Sequence, residues 1–485
     1  MARILTVPTR SPRARWNGIV SRAAVLAVAA IVVAPAAGGR TPSLTLKPCV
    51  VKGSGVEQAV RAQCGTYVVP ENRAKPNGRT IGLRVVVLPA RSKPVAKNAV
   101  TYLAGGPGSA AASDYAGLAQ AWPAVNAHHD ILLVDQRGTG RSHDSSCPTP
   151  AKPPTTSAAL RAYTRACMKA FGGDMTQYGT RMAMDDLDAV RAALGYRRLD
   201  VFGASYGGVA AQVYLKLHPS SVRTLTLLGA PAIDLPFFGR WAVNAQRALD
   251  HWAKVCASQA ACRKAFPNWE GTLRRLVKAW DAHPARIGPG TTMTGVQLAS
   301  VVHSLLVDAS KAGSIPLVVS RAARGDYGPL EQAGRGDLET STQLMYWSIW
   351  CNEPWGGLGS KGPWGTAFDS YTTAFIAQFR HGCTFFPRRP EARSLWTFPS
   401  SKRVPVFAIA GDADPQSPLA NLPELKRNFT DSRTVILRHT GHEVYLGGCV
   451  AEITASFVDS GTTRNLDTRC AAAIAAPRFE LTDRG

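Results

Sequence analysis

Apolar residues along this chain fall into short runs that alternate with segments of helical spacing. Thr66-Tyr67-Val68-Val69 leads into a turn through Pro76-Asn77-Gly78, and β-branched, apolar runs follow over 81–88 and 98–103. Runs of this kind bounded by turn residues predict strands. A further short strand is expected over 130–135. Met184, Leu187, Val190 and Leu194 then recur at helical spacing, and Gly195 closes that helix. An apolar run from Leu199 stops at Gly203, a small-residue helix runs from Gly207 to His218, and 222–228 reads as the next strand. This rhythm predicts a doubly wound, mostly parallel sheet.

From about 232 to 395 strands are expected to be lost, and helical sequence carrying eight of the eleven tryptophans takes over. An insertion of that size, at the sheet end where 199–203 emerges, predicts a cap, its tryptophans mostly core with a few walling an apolar pocket. The sheet resumes over 404–410 and 433–437. The expected organisation is therefore a secretion signal over 1–36, a first core part over 37–231, a cap over 232–395 and a second core part over 396–485.

Charge changes the picture only at the N-terminus. The 485 residues hold 56 Lys+Arg against 33 Asp+Glu, a net +23, and Arg3, Arg10, Arg13, Arg15 and Arg22 precede any acid. An apolar run over 23–33 and Ala34-Pro35-Ala36 complete the pattern of a cleavable secretion signal, with an uncleaved anchor as the rival. No later apolar run reaches spanning length, so no stable membrane association is expected after signal removal. Nor is nucleic acid a partner, because no basic stripe interleaved with aromatics occurs. Ten cysteines fit an oxidising compartment. Pairing each with its sequence neighbour would close five local loops, although spacing does not fix connectivity. None forms a C-x-x-C pair, so neither a metal site nor a cofactor is expected.

Candidate chemistry centres on Gly203-Ala204-Ser205-Tyr206-Gly207, a G-x-S-x-G turn between strand and helix. A serine hydroxyl needs a base, and the base needs a carboxylate to hold its tautomer. His442, after Gly441 in the loop beyond the last strand, is the candidate base, with His439 as rival. Asp414 in Gly411-Asp412-Ala413-Asp414-Pro415 is the candidate acid, with Asp412 as rival. Asp135 and Arg137 read as a charge-paired structural turn. Gly105-Gly106-Pro107-Gly108, after the strand over 98–103, is where one half of an oxyanion hole is expected.

Taken in order, Gly105 to Gly108, Asp135-Gln136-Arg137-Gly138-Thr139-Gly140-Arg141-Ser142, Gly203 to Gly208, Gly411 to Pro418 and Gly441-His442 resemble the prolyl iminopeptidase group. Its secreted, multi-cysteine branch, which includes tripeptidyl aminopeptidases, is most similar, over essentially everything after about residue 48. The resemblance implies an α/β-hydrolase fold with a large helical cap insertion, with Ser205 as nucleophile, Asp414 orienting and His442 as base. Oxyanion donors would be the backbone N–H groups of Gly106 and Tyr206. Ala104 departs from the histidine many relatives carry there, which matters little because the donors are backbone groups. Cys351-Asn352-Glu353-Pro354 looks like the cap segment whose acid meets a substrate ammonium. Glu353 is thus the candidate substrate-binding residue, with a plain surface glutamate as the alternative. A secreted, monomeric serine exopeptidase acting on peptides with a free N-terminus is the implied function, with the cell envelope as an alternative location. Carboxylesterase or lipase-like activity and a non-catalytic binding role on the same scaffold stand as alternatives.

Overall fold

The computed structural model describes residues 44–53, 59–119, 121–148, 156–334, 344–444 and 446–482. The expected secretion signal over 1–36 lies outside them.

Strands β1 (Lys47–Lys52), β2 (Ala59–Pro70), β3 (Thr80–Leu88), β4 (Ala99–Leu103), β5 (Asp130–Val134), β6 (Leu199–Ala204) and β7 (Val222–Leu228) come first among the described residues. A separate hairpin, β8 (Ala285–Gly288) and β9 (Thr291–Met293), and then β10 (Val406–Gly411) and β11 (Ser432–Leu437) follow among the described residues. Among the described residues the main sheet has nine strands in the order β1-β2-β3-β5-β4-β6-β7-β10-β11. Its first three pairings are antiparallel and the remainder parallel. Every residue of β4 and β10 is buried, which is why these strands read as almost wholly apolar runs: helices cover both faces of a parallel sheet.

Those helices are α1 (Ala111–Leu118), α2 (Ser157–Phe171), α3 (Thr180–Ala193) and α4 (Tyr206–Leu217) before β7. Between β7 and β10 come α5 (Phe237–Ser258), α6 (Ala260–Ala265), α7 (Trp269–Ala282), α8 (Gly295–Val307), α9 (Ala309–Ala312), α10 (Ile315–Ala322), α11 (Gly328–Gly334), α12 (Leu344–Asn352) and α13 (Asp369–Gly382). α14 (Leu425–Asn428), α15 (Cys449–Ser460) and α16 (Arg469–Ala472) close the chain. One apolar cluster joins α3 and α4 to the sheet, and a second joins α1 and α15 to its opposite face. A third lies largely within the helical insertion, around Trp252, Trp269 and Trp280. The expectation that strands vanish from 232 to 395 is corrected by β8–β9: Pro289 and Gly290, the latter at φ +69°, turn the chain tightly enough to pair its flanks.

Five disulfides join Cys49 to Cys64, Cys147 to Cys167, Cys256 to Cys262, Cys351 to Cys383 and Cys449 to Cys470. Each cysteine pairs with its sequence neighbour and none is free. Among the described residues no helix is long and apolar enough to cross a membrane.

Candidate active site

β6 ends one residue before Ser205, and α4 starts one residue after it. The turn between them holds Ser205 at φ 54° and ψ −123°, a region non-glycine residues seldom occupy. The Ser205 N–H donates to the Leu228 carbonyl at 2.8 Å, which ties the turn to β7. Gly207 lets α4 start this close to the sheet, because a Cβ there would collide with the Leu103 carbonyl.

His442 Nε2 lies 3.0 Å from Ser205 Oγ, and His442 Nδ1 lies 3.0 Å from Asp414 Oδ2. The three residues come from turns after β6, β10 and β11, all at the carboxyl end of the sheet. Asp414 is buried, and its Oδ1 also accepts the N–H groups of Gln416 and Ser417, each at 2.8 Å. Gly229 makes room for the pair: a Cβ there would sit 3.3 Å from both Asp414 Oδ2 and His442 Nδ1. The insertion grips the histidine loop, since the N–H groups of His442 and Glu443 both donate to the Val307 carbonyl at the end of α8. Burial works against charge on His442, but the Asp414 carboxylate beside it prevails and raises its pKa above the ordinary value.

The rivals stand elsewhere. Asp412 and His439 instead gather around His251, one nitrogen or oxygen of each of the three lying within 4.8 Å of the others. Asp135 and Arg137 are structural: Arg137 is fully buried, with Nε and Nη2 donating to Asp186 at 2.7 and 2.8 Å. Asp135 accepts the N–H groups of Ala112 and Arg141.

Gly106, Ser205 and Tyr206 line one cavity of about 180 Å³. Tyr206 is the first residue of α4, so its N–H has no partner within the helix. The opposite wall is aromatic, with Phe237, Phe238 and Trp241 from α5, Trp350 from α12, and Trp355. Among the described residues that line the cavity, none carries a formal charge.

Glu353 is placed behind that wall and not on it. It is buried, and its Oε1 accepts the Thr180 N–H at 2.7 Å. Its Oε2 accepts Thr180 Oγ1 at 2.8 Å and Trp355 Nε1 at 2.9 Å. Burial drives its pKa up to about 7, against the opposing pull of those donors. Thr180 Oγ1 also lies 2.8 Å from the Tyr206 hydroxyl, so one carboxylate orders both the Trp355 indole and the Tyr206 phenol. Thr180 was not legible as part of the site, because nothing in its own neighbourhood points 173 residues ahead. His303 on α8 was equally hidden: it stacks on Trp241 at 4.8 Å, and burial depresses its pKa to about 3.

Residues 98–448 match the family described as alpha/beta hydrolase fold. Over 467 aligned residues the chain is 24% identical to the tripeptidyl aminopeptidase of Streptomyces lividans, covering 84% of this chain and 83% of that protein. It is 28% identical over 273 residues to the serine protease Hip1 of Mycobacterium tuberculosis, covering 51% of this chain and 52% of that one. Among solved structures, the proline iminopeptidase of Mycobacterium smegmatis is similar with a TM-score of 0.37 and 15% identity, over 82% of this chain and 98% of that one.

Proposed function

This chain belongs to the α/β-hydrolase family, and from that premise we propose that it is a secreted serine exopeptidase releasing short peptides or single residues from peptide N-termini. The observation that carries this reading is His442 standing 3.0 Å from Ser205 Oγ on one side and 3.0 Å from Asp414 on the other. With its proton on Nδ1, held by Asp414, His442 presents Nε2 as the base that takes the Ser205 proton. Ser205 Oγ bonds to the carbonyl carbon, and the oxyanion takes hydrogen bonds from the N–H groups of Gly106 and Tyr206. The C–N bond then breaks as His442 returns its proton to the leaving amine. Water, giving a proton to His442, then attacks the ester carbonyl carbon, and His442 hands that proton to Ser205 Oγ as the C–O bond breaks, releasing the acid product and free Ser205. The five disulfides support a site of action outside the reducing cytosol, and the tripeptidyl aminopeptidase relative supports peptide substrates.

In this reading the aromatic cavity takes one apolar side chain, and Glu353 acts on the substrate ammonium from behind Trp355. A carboxylesterase is the second reading, favoured by the lack of a charged side chain among the described cavity-lining residues. Mono-, di- and tripeptidyl chromogenic amides, free and N-blocked, compared with acyl esters on wild type, Ser205→Ala and Glu353→Ala, separate the two. The exopeptidase reading expects turnover of free-amine amides, lost in Ser205→Ala. It also expects KM for them to rise more than KM for an ester in Glu353→Ala. Turnover of blocked esters alone would favour the esterase.

A further inference from the structure

Three side chains outside the Ser205 cluster converge where the insertion meets the sheet. His251 lies on α5, Asp412 directly follows β10, and His439 lies just beyond β11. One nitrogen or oxygen from each lies within 4.8 Å of the other two. His251 Nε2 is 3.6 Å from Asp412 Oδ1, beyond hydrogen-bonding distance, and the two imidazole centroids are 5.5 Å apart. His251 Nε2, Asp412 Oδ1 and His439 Nδ1 are each buried with no hydrogen-bond partner. Buried polar atoms are nearly always paired, so three orphans around one point ask for a common partner. His439 also holds φ at 52°, the kind of sparsely populated backbone that clusters at functional positions.

The chemistry of the set narrows that partner. Two imidazoles and a carboxylate suit zinc and its neighbours, whereas calcium and magnesium prefer oxygen ligands alone. We propose that His251, Asp412 and His439 form a divalent transition-metal site of the zinc type, with a fourth position open to water. Tetrahedral bonds of 2.0–2.1 Å place ligand atoms about 3.3 Å apart, so closing around an ion asks for movements of about 1 Å. The side chains of His251 and Asp412 retain 21% and 23% exposure, which leaves an entry path. Lys254 and Arg438 are the neighbouring cations whose charge acts on His251. Lys254 and Arg438 are themselves exposed, so solvent screens their repulsion of a dication.

None of the three residues lines the cavity beside Ser205, so the metal is assigned no part in bond cleavage. It would pin α5, whose first turns wall that cavity, to the two loops that carry Asp414 and His442. Calorimetric titration of Zn2+ into full-length protein freed of metal by chelation tests this, with Co2+ absorption as a second probe. Expected are one ion bound per chain, visible cobalt bands of a four- or five-coordinate site, and a rise in Tm of about 2–5 °C at saturating zinc. His251→Gln and His439→Gln should each weaken binding by at least about tenfold, the loss that even an outer contact produces, and abolish the Tm rise. Asp412→Asn, which keeps the side-chain shape, gives the same readout should a histidine variant fail to fold. No stoichiometric binding, or one-ion binding that all three variants retain, would overturn the proposal.

Discussion

His442 is held in two opposing ways, by burial that favours its neutral form and by Asp414, which favours the cation and wins. A base with a raised pKa is available only above that pKa. The acid limb of kcat/KM should therefore lie above the ordinary histidine value near 6.5, with activity lost as pH falls through it. Asp414→Asn removes the countercharge and the tautomer control together. It should move that limb to lower pH and reduce kcat by about 10⁴, as pH profiles of both proteins would reveal; an unmoved limb would contradict the assignment. Ser205 was legible because a strained turn needs glycines two residues to either side. His442 was legible because it follows the last strand. Thr180, His303 and the meeting of His251 with Asp412 and His439 were not, since each depends on which distant segments the fold brings together.

At the scale of elements, α12 and α13 are tied by the Cys351–Cys383 disulfide. Trp350 and Trp355 of the cavity wall flank the first of these cysteines. The closed loop spans 32 residues, and loop-closure entropy gives such a link about 3–4 kcal/mol. Replacing both cysteines with serine should lower stability by about that amount and, by loosening the wall, raise KM more than it lowers kcat. Denaturation curves and steady-state kinetics check both, and an unchanged KM would separate the link from the cavity. Parallel strands such as β4 and β10 announced themselves because burial on both faces makes them apolar at nearly every position. The β8–β9 hairpin did not: its strands of four and three residues are partly exposed and carry no apolar run.

For the whole molecule, Glu353 links stability to pH. Its carboxyl titrates near 7 when folded, against 4.5 ordinarily. The folded protein thus binds more protons than the unfolded chain between these values, and stability falls as pH rises from about 4.5 to about 7. His442, also raised, acts in the same direction. The Glu353 share, at most about 3 kcal/mol, should vanish in Glu353→Gln. Urea unfolding at pH 5 and pH 8 should show a smaller difference for the variant than for wild type, and equal differences would contradict this. The alternation of strand and helix announced the sheet, but the two apolar clusters on its faces are sums over many segments and have no local signature.

The account rests on Ser205 being activated through His442 and Asp414, and covalent labelling reaches that point most directly. A fluorophosphonate followed by intact-mass and peptide mapping should give one adduct, on Ser205, absent from Ser205→Ala and slowed by at least about 10³ in His442→Ala. Labelling at another residue, or at undiminished rate without His442, would contradict it.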